Sequence, residues 1–113
     1  MSVTKQTPQE HDLTVAYVSH VPHLLASSLV ESLSHQPEAW LKLSGKGLLD
    51  TTRIAQGDPE LWSGIIKSNQ ACINQSLESW LHSIDKLRLI LKEQEWEKLS
   101  AYLARAADCR KKI

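Results

Sequence analysis

Residues 58–92 read DPELWSGIIKSNQACINQSLESWLHSIDKLRLILK. Asp58 is a good helix N-cap, Pro59 suits the first turn, and Glu60 sits where the positive end of a helix favours a carboxylate. The opening therefore predicts one long helix to about Lys92. Within it Ile73, Leu77, Trp80, Ile84, Leu87 and Leu91 fall at spacings of four, three, four, three and four, a heptad seam nearly three repeats long. Leu81 and Ile90 widen the stripe beyond a two-stranded seam. A helix of about 35 residues is roughly 50 Å long, whereas a compact chain of this size has a radius of gyration near 13 Å. One copy cannot easily cover both faces of such a rod and a second copy can, so the stretch predicts an all-α fold and an obligate, helix-paired homodimer.

Upstream, Leu13, Ala16, Tyr17, Leu24, Leu25, Leu29, Val30 and Leu33 also recur at helical spacing. Pro22 interrupts them. It lacks a backbone donor and crowds the carbonyl four residues back, so this long first helix should kink between Val18 and Pro22. Residues 1–9 are polar and expected to be disordered. Glu38–Leu43 reads as a short helix, Ser44–Gly47 as a loop, and Leu48–Ala55 as another short helix with Gly57 placed to cap it. Downstream, Glu93-Gln94-Glu95 is a polar joint before a last helix from Trp96 to Arg110, with Leu99, Tyr102, Leu103 and Ala106 on one face. No strand or internal repeat is visible.

The chain has 113 residues, a length for one domain. Its 13 basic and 13 acidic residues cancel, which disfavours a nucleic-acid partner. No run reaches 18 apolar residues, so no membrane span is expected, and MSVTKQTPQEHD lacks the layout of a signal peptide. Cys72 and Cys109 make neither a disulfide framework nor a zinc spacing, and a reducing cytoplasmic setting fits them best. There are four glycines. Gly45-Lys46-Gly47 is only the first half of a dinucleotide-binding turn, the third glycine position holding Asp50. No cofactor phosphate is expected to bind to this chain alone.

Two polar clusters are not explained by helix formation. The first holds His11-Asp12 and then Ser19-His20-Val21-Pro22-His23; the second holds Asp50-Thr51-Thr52-Arg53 with Asp58 and Trp62. His20 and His23 are three apart and share a helix face unless the proline separates them. Zinc would need further ligands that the neighbourhood lacks, so no metal is expected. The two rings either steady the kink as core histidines or serve as hydrogen-bonding partners in a pocket. Arg53 lies among Leu48, Leu49, Ile54 and Ala55. It either pairs with Asp50 three residues back or receives the carboxylate of a ligand in a two-pronged contact. Trp62 is core by default, as are Trp40, Trp80 and Trp96.

EHDLTVAYVSHVPHLLASSLV, residues 10–30, and LLDTTRIAQGDPELWSGIIKSN, residues 48–69, resemble two motifs of the C-terminal helical domain of prephenate and arogenate dehydrogenases, in the same order. The likeness covers about residues 8–92; from Glu93 the tail matches only in being helical. Leu48-Leu49 departs from the aromatic or Gly-Phe pair the family often carries before the aspartate. The resemblance implies a domain that dimerises through intertwined helices, as an intertwined helical dimer, and closes the substrate pocket of an enzyme acting in tyrosine biosynthesis. That enzyme removes a hydride from a cyclohexadienol ring, releases its ring carboxylate as carbon dioxide, and passes the hydride to NAD or NADP. The cofactor and the histidine that polarises the ring hydroxyl belong to another domain in such enzymes, so this chain alone would be inactive. By motif match Arg53 would bind a carboxylate of the dianionic substrate, prephenate or arogenate. His23 would line the pocket beside His20 and Ser19, and Asp50 and Trp62 would approach from the partner subunit. The rival expectation is a helical homodimeric interaction module without a pocket, in which Arg53 is paired internally.

Overall fold

The computed structural model describes residues 6–113. Among these the chain forms six α-helices and no strand: α1 (Pro8–Val15), α2 (Val21–Ser34), α3 (Lys46–Thr52), α4 (Pro59–Ser68), α5 (Gln70–Lys92) and α6 (Trp96–Arg110). A π-helical turn, Ala16–His20, joins α1 to α2, and 3-10 turns cover Glu38–Leu43 and Arg53–Gln56. Two compact units divide at Leu77 and Glu78, within α5.

In the first unit α1 begins at Pro8, inside the segment expected to be disordered. Thr7 and Glu10 explain this. The Thr7 hydroxyl accepts from the Glu10 N–H and the Glu10 carboxylate accepts from the Thr7 N–H, both at 3.1 Å, a capping box that satisfies two orphan donors. The rest of the expected disorder, residues 1–5, lies outside the described residues. The expected kink appears as the π turn. Pro22 cannot donate to the Val18 carbonyl, and the Val21 N–H reaches back five residues to the Ala16 carbonyl instead. The extra residue turns the following helix face. Val21 and Ala26 become the buried apolar positions with Ala16, while Tyr17, Leu29 and Val30 of the expected stripe are exposed. The run Pro8–Ser34 is long and apolar enough to cross a membrane by length and composition. Here its Ala16, His20, Val21, His23 and Ala26 are buried within the protein.

The loop expected at Ser44–Gly47 is shorter than expected, because α3 already starts at Lys46 with Gly45 as its N-cap. The Thr51 and Thr52 hydroxyls donate to the Gly47 and Leu48 carbonyls, each at 2.7 Å. Such back-bonding bends helices, and at Thr52 (φ −107°, ψ 2°) the backbone leaves the helix and tightens into the Arg53–Gln56 turn. α2 packs against α3 and against this turn.

The single helix expected over residues 59–92 is two. Asn69 (φ −130°, ψ 32°) ends α4, and its carbonyl accepts the Ile73 N–H at the start of α5. Asparagine competes with helical hydrogen bonds through its side chain, and here that side chain donates to the Asp12 carbonyl at 2.8 Å. The seam residues are graded in exposure. Ile73 is buried, Leu77, Trp80, Ile84, Leu87 and Ile90 are half-buried, and Leu81 and Leu91 are exposed.

In the second unit the end of α5 and α6 form a helical hairpin. The Glu95 N–H bonds the Ile90 carbonyl at 3.0 Å and the Gln94 N–H bonds the Leu91 carbonyl at 3.2 Å, with Gln94 at φ 55°. This is a Schellman stop with glutamine where glycine is usual. Ser83 and Tyr102 join the two helices through their hydroxyls at 2.7 Å. Gln94→Gly relieves the left-handed strain and is expected to stabilise the fold by about 0.5–1 kcal/mol, read from urea unfolding at fixed protein concentration.

Candidate functional site

The π turn and α2 place His20 and His23 inside the first unit, 8% and 6% exposed. They do different things. His20 Nδ1 lies 3.4 Å from the Asn69 side-chain amide, and that amide also holds the Asp12 carbonyl. His20 thus belongs to a tie between α1 and the α4–α5 break. The imidazole of His23 stacks on the Trp62 indole, with ring centroids 3.8 Å apart and planes 12° from parallel. Its Nδ1 is buried and has no hydrogen-bond partner among the described residues. A buried acceptor or donor left unpaired is costly.

Trp62 is placed one turn into α4 by the Asp58 cap, whose carboxylate accepts the Glu60 N–H at 3.0 Å. The stack forms within one chain, so Trp62 meets His23 without a partner subunit. His23 and Trp62 line a cavity of about 510 Å³ with Leu24, Ser27, Ser63 and Lys67 among its walls.

Arg53 lines a second cavity of about 440 Å³, with Val30, Leu49, Asp50, Thr52 and Gln56. Val30 and His23 are two turns apart on α2, about 10 Å by helical rise. Arg53 and His23 thus line different cavities. Nor does Arg53 pair with Asp50. The Asp50 carboxylate is 3.9 Å from the Lys46 ammonium instead, and among the described residues no carboxylate stands at ion-pairing distance from the Arg53 guanidinium. An arginine with five donors and no acid beside it suits an incoming carboxylate. The hydroxyls of Thr51 and Thr52 are spent on α3. Ser19 is exposed on the π turn.

Two residues escape the sequence reading of the site. Asn69 was legible only as part of a helix, although asparagine in mid-helix is itself a signal of a break. Gly57, expected as a helix cap, has φ −59° and ψ 158°, a conformation open to any residue. A Cβ there would lie 2.7 Å from Trp62 Nε1, 2.8 Å from Trp62 Cδ1 and 3.1 Å from His23 Cε1. Its lack of a side chain serves packing, not a left-handed turn. Among the described residues no group of three or more His, Cys, Asp or Glu is arranged to hold a metal ion.

Residues 7–105 match the family model described as prephenate dehydrogenase, dimerization domain. The match extends past Lys92 well into α6, farther than the motifs alone indicate. The chain is 32% identical over 109 residues to a prephenate dehydrogenase of Bacillus subtilis, covering 94% of this chain and 29% of that protein. It spans about three-tenths of that relative's length. Among solved structures it is similar to prephenate dehydrogenase from A. aeolicus in complex with hydroxyphenyl propionate and NAD+. The TM-score is 0.90 and the identity 31%, over 99% of this chain and 40% of that one. Arogenate dehydrogenase from Synechocystis gives the same TM-score of 0.90 at 26% identity, over 99% and 42% of the two chains.

Asn69→Ala removes the amide that holds the Asp12 carbonyl and faces His20. A loss of about 1 kcal/mol of stability is expected, measured by chemical unfolding.

Proposed function

Because the chain belongs to the prephenate dehydrogenase dimerization-domain family, we propose that it is the dimerising, substrate-binding part of an NAD(P)-dependent prephenate or arogenate dehydrogenase acting in cytoplasmic tyrosine biosynthesis. The observation that carries this is Arg53. Its guanidinium lines a cavity, has no acid at ion-pairing distance, and has Asp50 turned to Lys46. A ring dianion such as prephenate offers a carboxylate that Arg53 receives through two parallel N–H donors. His23 lines the other cavity with Trp62 stacked on its imidazole, and the ring substrate is proposed to extend from Arg53 toward it, about 10 Å along α2, where the unpaired Nδ1 offers a hydrogen bond. Ser19 and His20 flank His23 along the chain, His20 held by Asn69.

The hydride acceptor is NAD or NADP. The residues here do not fit a dinucleotide: Gly45 caps a seven-residue helix with no strand before it among the described residues, and the third glycine position is Asp50. That cofactor's site therefore comes from outside these 113 residues, and no step of the oxidation is assigned to this chain. Its own residues bind and orient the substrate. Cys72 and Cys109 are free thiols, in keeping with a reducing compartment.

Homodimerisation is part of the same proposal. Leu81, Leu89, Leu91, Trp96 and Leu103 are each about half exposed, more large apolar surface than a solitary pair of helices keeps in water. A helical interaction module with no pocket would use the same surface with Arg53 paired internally; the lack of an acid at ion-pairing distance from Arg53 among the described residues favours the substrate-binding reading.

In the dehydrogenase holding this chain, or in the chain reconstituted with a cofactor domain, Arg53→Ala is expected to raise KM for the dianion about 30-fold. That corresponds to about 2 kcal/mol of charge-assisted binding. Arg53→Lys restores only part of it, since an ammonium lacks the fork. An unchanged KM with a lowered melting temperature on the same Arg53→Ala sample would assign Arg53 a structural role instead. Sedimentation at micromolar concentration is expected to show a dimer. Replacing Leu77 and Ile84 together by aspartate should abolish association and folding, and a stable monomer of 12.7 kDa would refute the dimer.

A further inference from the structure

Gly57 sits between the Arg53–Gln56 turn and the Asp58 cap of α4, and its N–H bonds the Ile54 carbonyl at 3.1 Å. Its backbone angles, φ −59° and ψ 158°, are open to alanine without strain. Taken alone, Gly→Ala at such a site stabilises a protein by restricting the unfolded chain. What opposes a side chain is the space. A Cβ would stand 2.7 Å and 2.8 Å from two atoms of the Trp62 pyrrole ring and 3.1 Å from His23 Cε1. Both partners of the stack would be struck at once. His23 is buried and wedged by the indole at 3.8 Å, so the imidazole has little room to retreat and the indole must move.

We propose that Gly57 is a positioning residue for the ligand site: by having no side chain it lets Trp62 lie flat on His23 and so fixes the direction of the unpaired His23 Nδ1. This rests on the proposal that the His23–Trp62 cavity takes the ring substrate. Gly57 itself touches no reacting atom. Its effect runs through Trp62, and a side chain at 57 costs binding even though the backbone accepts it.

The test is a cycle of Gly57→Ala, Trp62→Ala and the double variant in the full chain, read in two ways. The first is the His23 Hε1 resonance in protein with labelled histidine. An indole face 3.8 Å away shields this proton, and Gly57→Ala is expected to shift it toward its position in Trp62→Ala. The second is the calorimetric affinity of the chain, reconstituted with a cofactor domain, for hydroxyphenyl propionate, the ligand of the A. aeolicus relative. A weakening of about fivefold is expected from Gly57→Ala, and none from adding Gly57→Ala to Trp62→Ala, because the clash is then gone. Should Gly57→Ala fail to fold, recovery of folding in the double variant supports the clash with Trp62, and failure of both variants overturns it. An unmoved resonance in Gly57→Ala, or equal losses in both backgrounds, also overturns the proposal. If the chain reconstituted with a cofactor domain binds no hydroxyphenyl propionate while the resonance moves as expected, the ligand site is refuted and Gly57's placement of the stack stands.

Discussion

Pro22 has no N–H to offer the Val18 carbonyl, and much of the first unit is arranged around that lack. An ordinary α-helix would pass through residues 16–22 with one hydrogen bond missing and a proline ring against a carbonyl. The chain inserts a residue instead, so that the Val21 N–H reaches Ala16. The register of the following helix turns, Val21 and Ala26 go inward, and His20 and His23 go inward with them. Burying two imidazoles requires partners. Asn69 supplies one for His20, and it can do so because its own backbone has left the helix. Trp62 supplies a flat apolar face for His23. The kink in one helix and the break between two others thus meet at the same pair of histidines.

The second constraint is charge placement on a chain with no net charge. An anion is not drawn by the molecule as a whole, so any attraction is local. Asp50 lies nearest Lys46 across one turn of α3, and among the described residues Arg53, on the turn that follows, has no acid at ion-pairing distance. An exposed lysine–aspartate pair adds little to stability. The threonines between Asp50 and Arg53 are saturated by their own helix, so the guanidinium is the group in that string with donors to spare.

Much of this was legible in the sequence, and the misreadings have physical causes. The helical class, the kink before Pro22, the Asp58 cap and the polar joint at residues 93–95 follow from local chemistry, and all are present. The ordered start of α1 was also local: Thr7-Pro8-Gln9-Glu10 is a capping box, and its spacing was there to be read. The unbroken rod over residues 59–92 was not a local matter. Apolar spacing continues through Asn69 because both helices bury a face. The break appears only once Asp12, more than fifty residues earlier, presents a carbonyl to the asparagine.

The sequence by itself determined that the chain is helical, where most helices start and stop, and which polar residues stand out from the pattern. Those properties depend on dihedral preferences, caps and periodicity within a few residues. Only the tertiary structure decided where the polar residues sit and what they touch. It separated His20 from His23, though both are buried three positions apart. It stacked Trp62 on His23 within one chain and put Arg53 at a different cavity. It turned Gly57 from a presumed helix cap into a gap that a tryptophan fills. Each of these depends on atoms distant in sequence competing for the same few ångströms of space or the same hydrogen bond, and no local propensity records that competition.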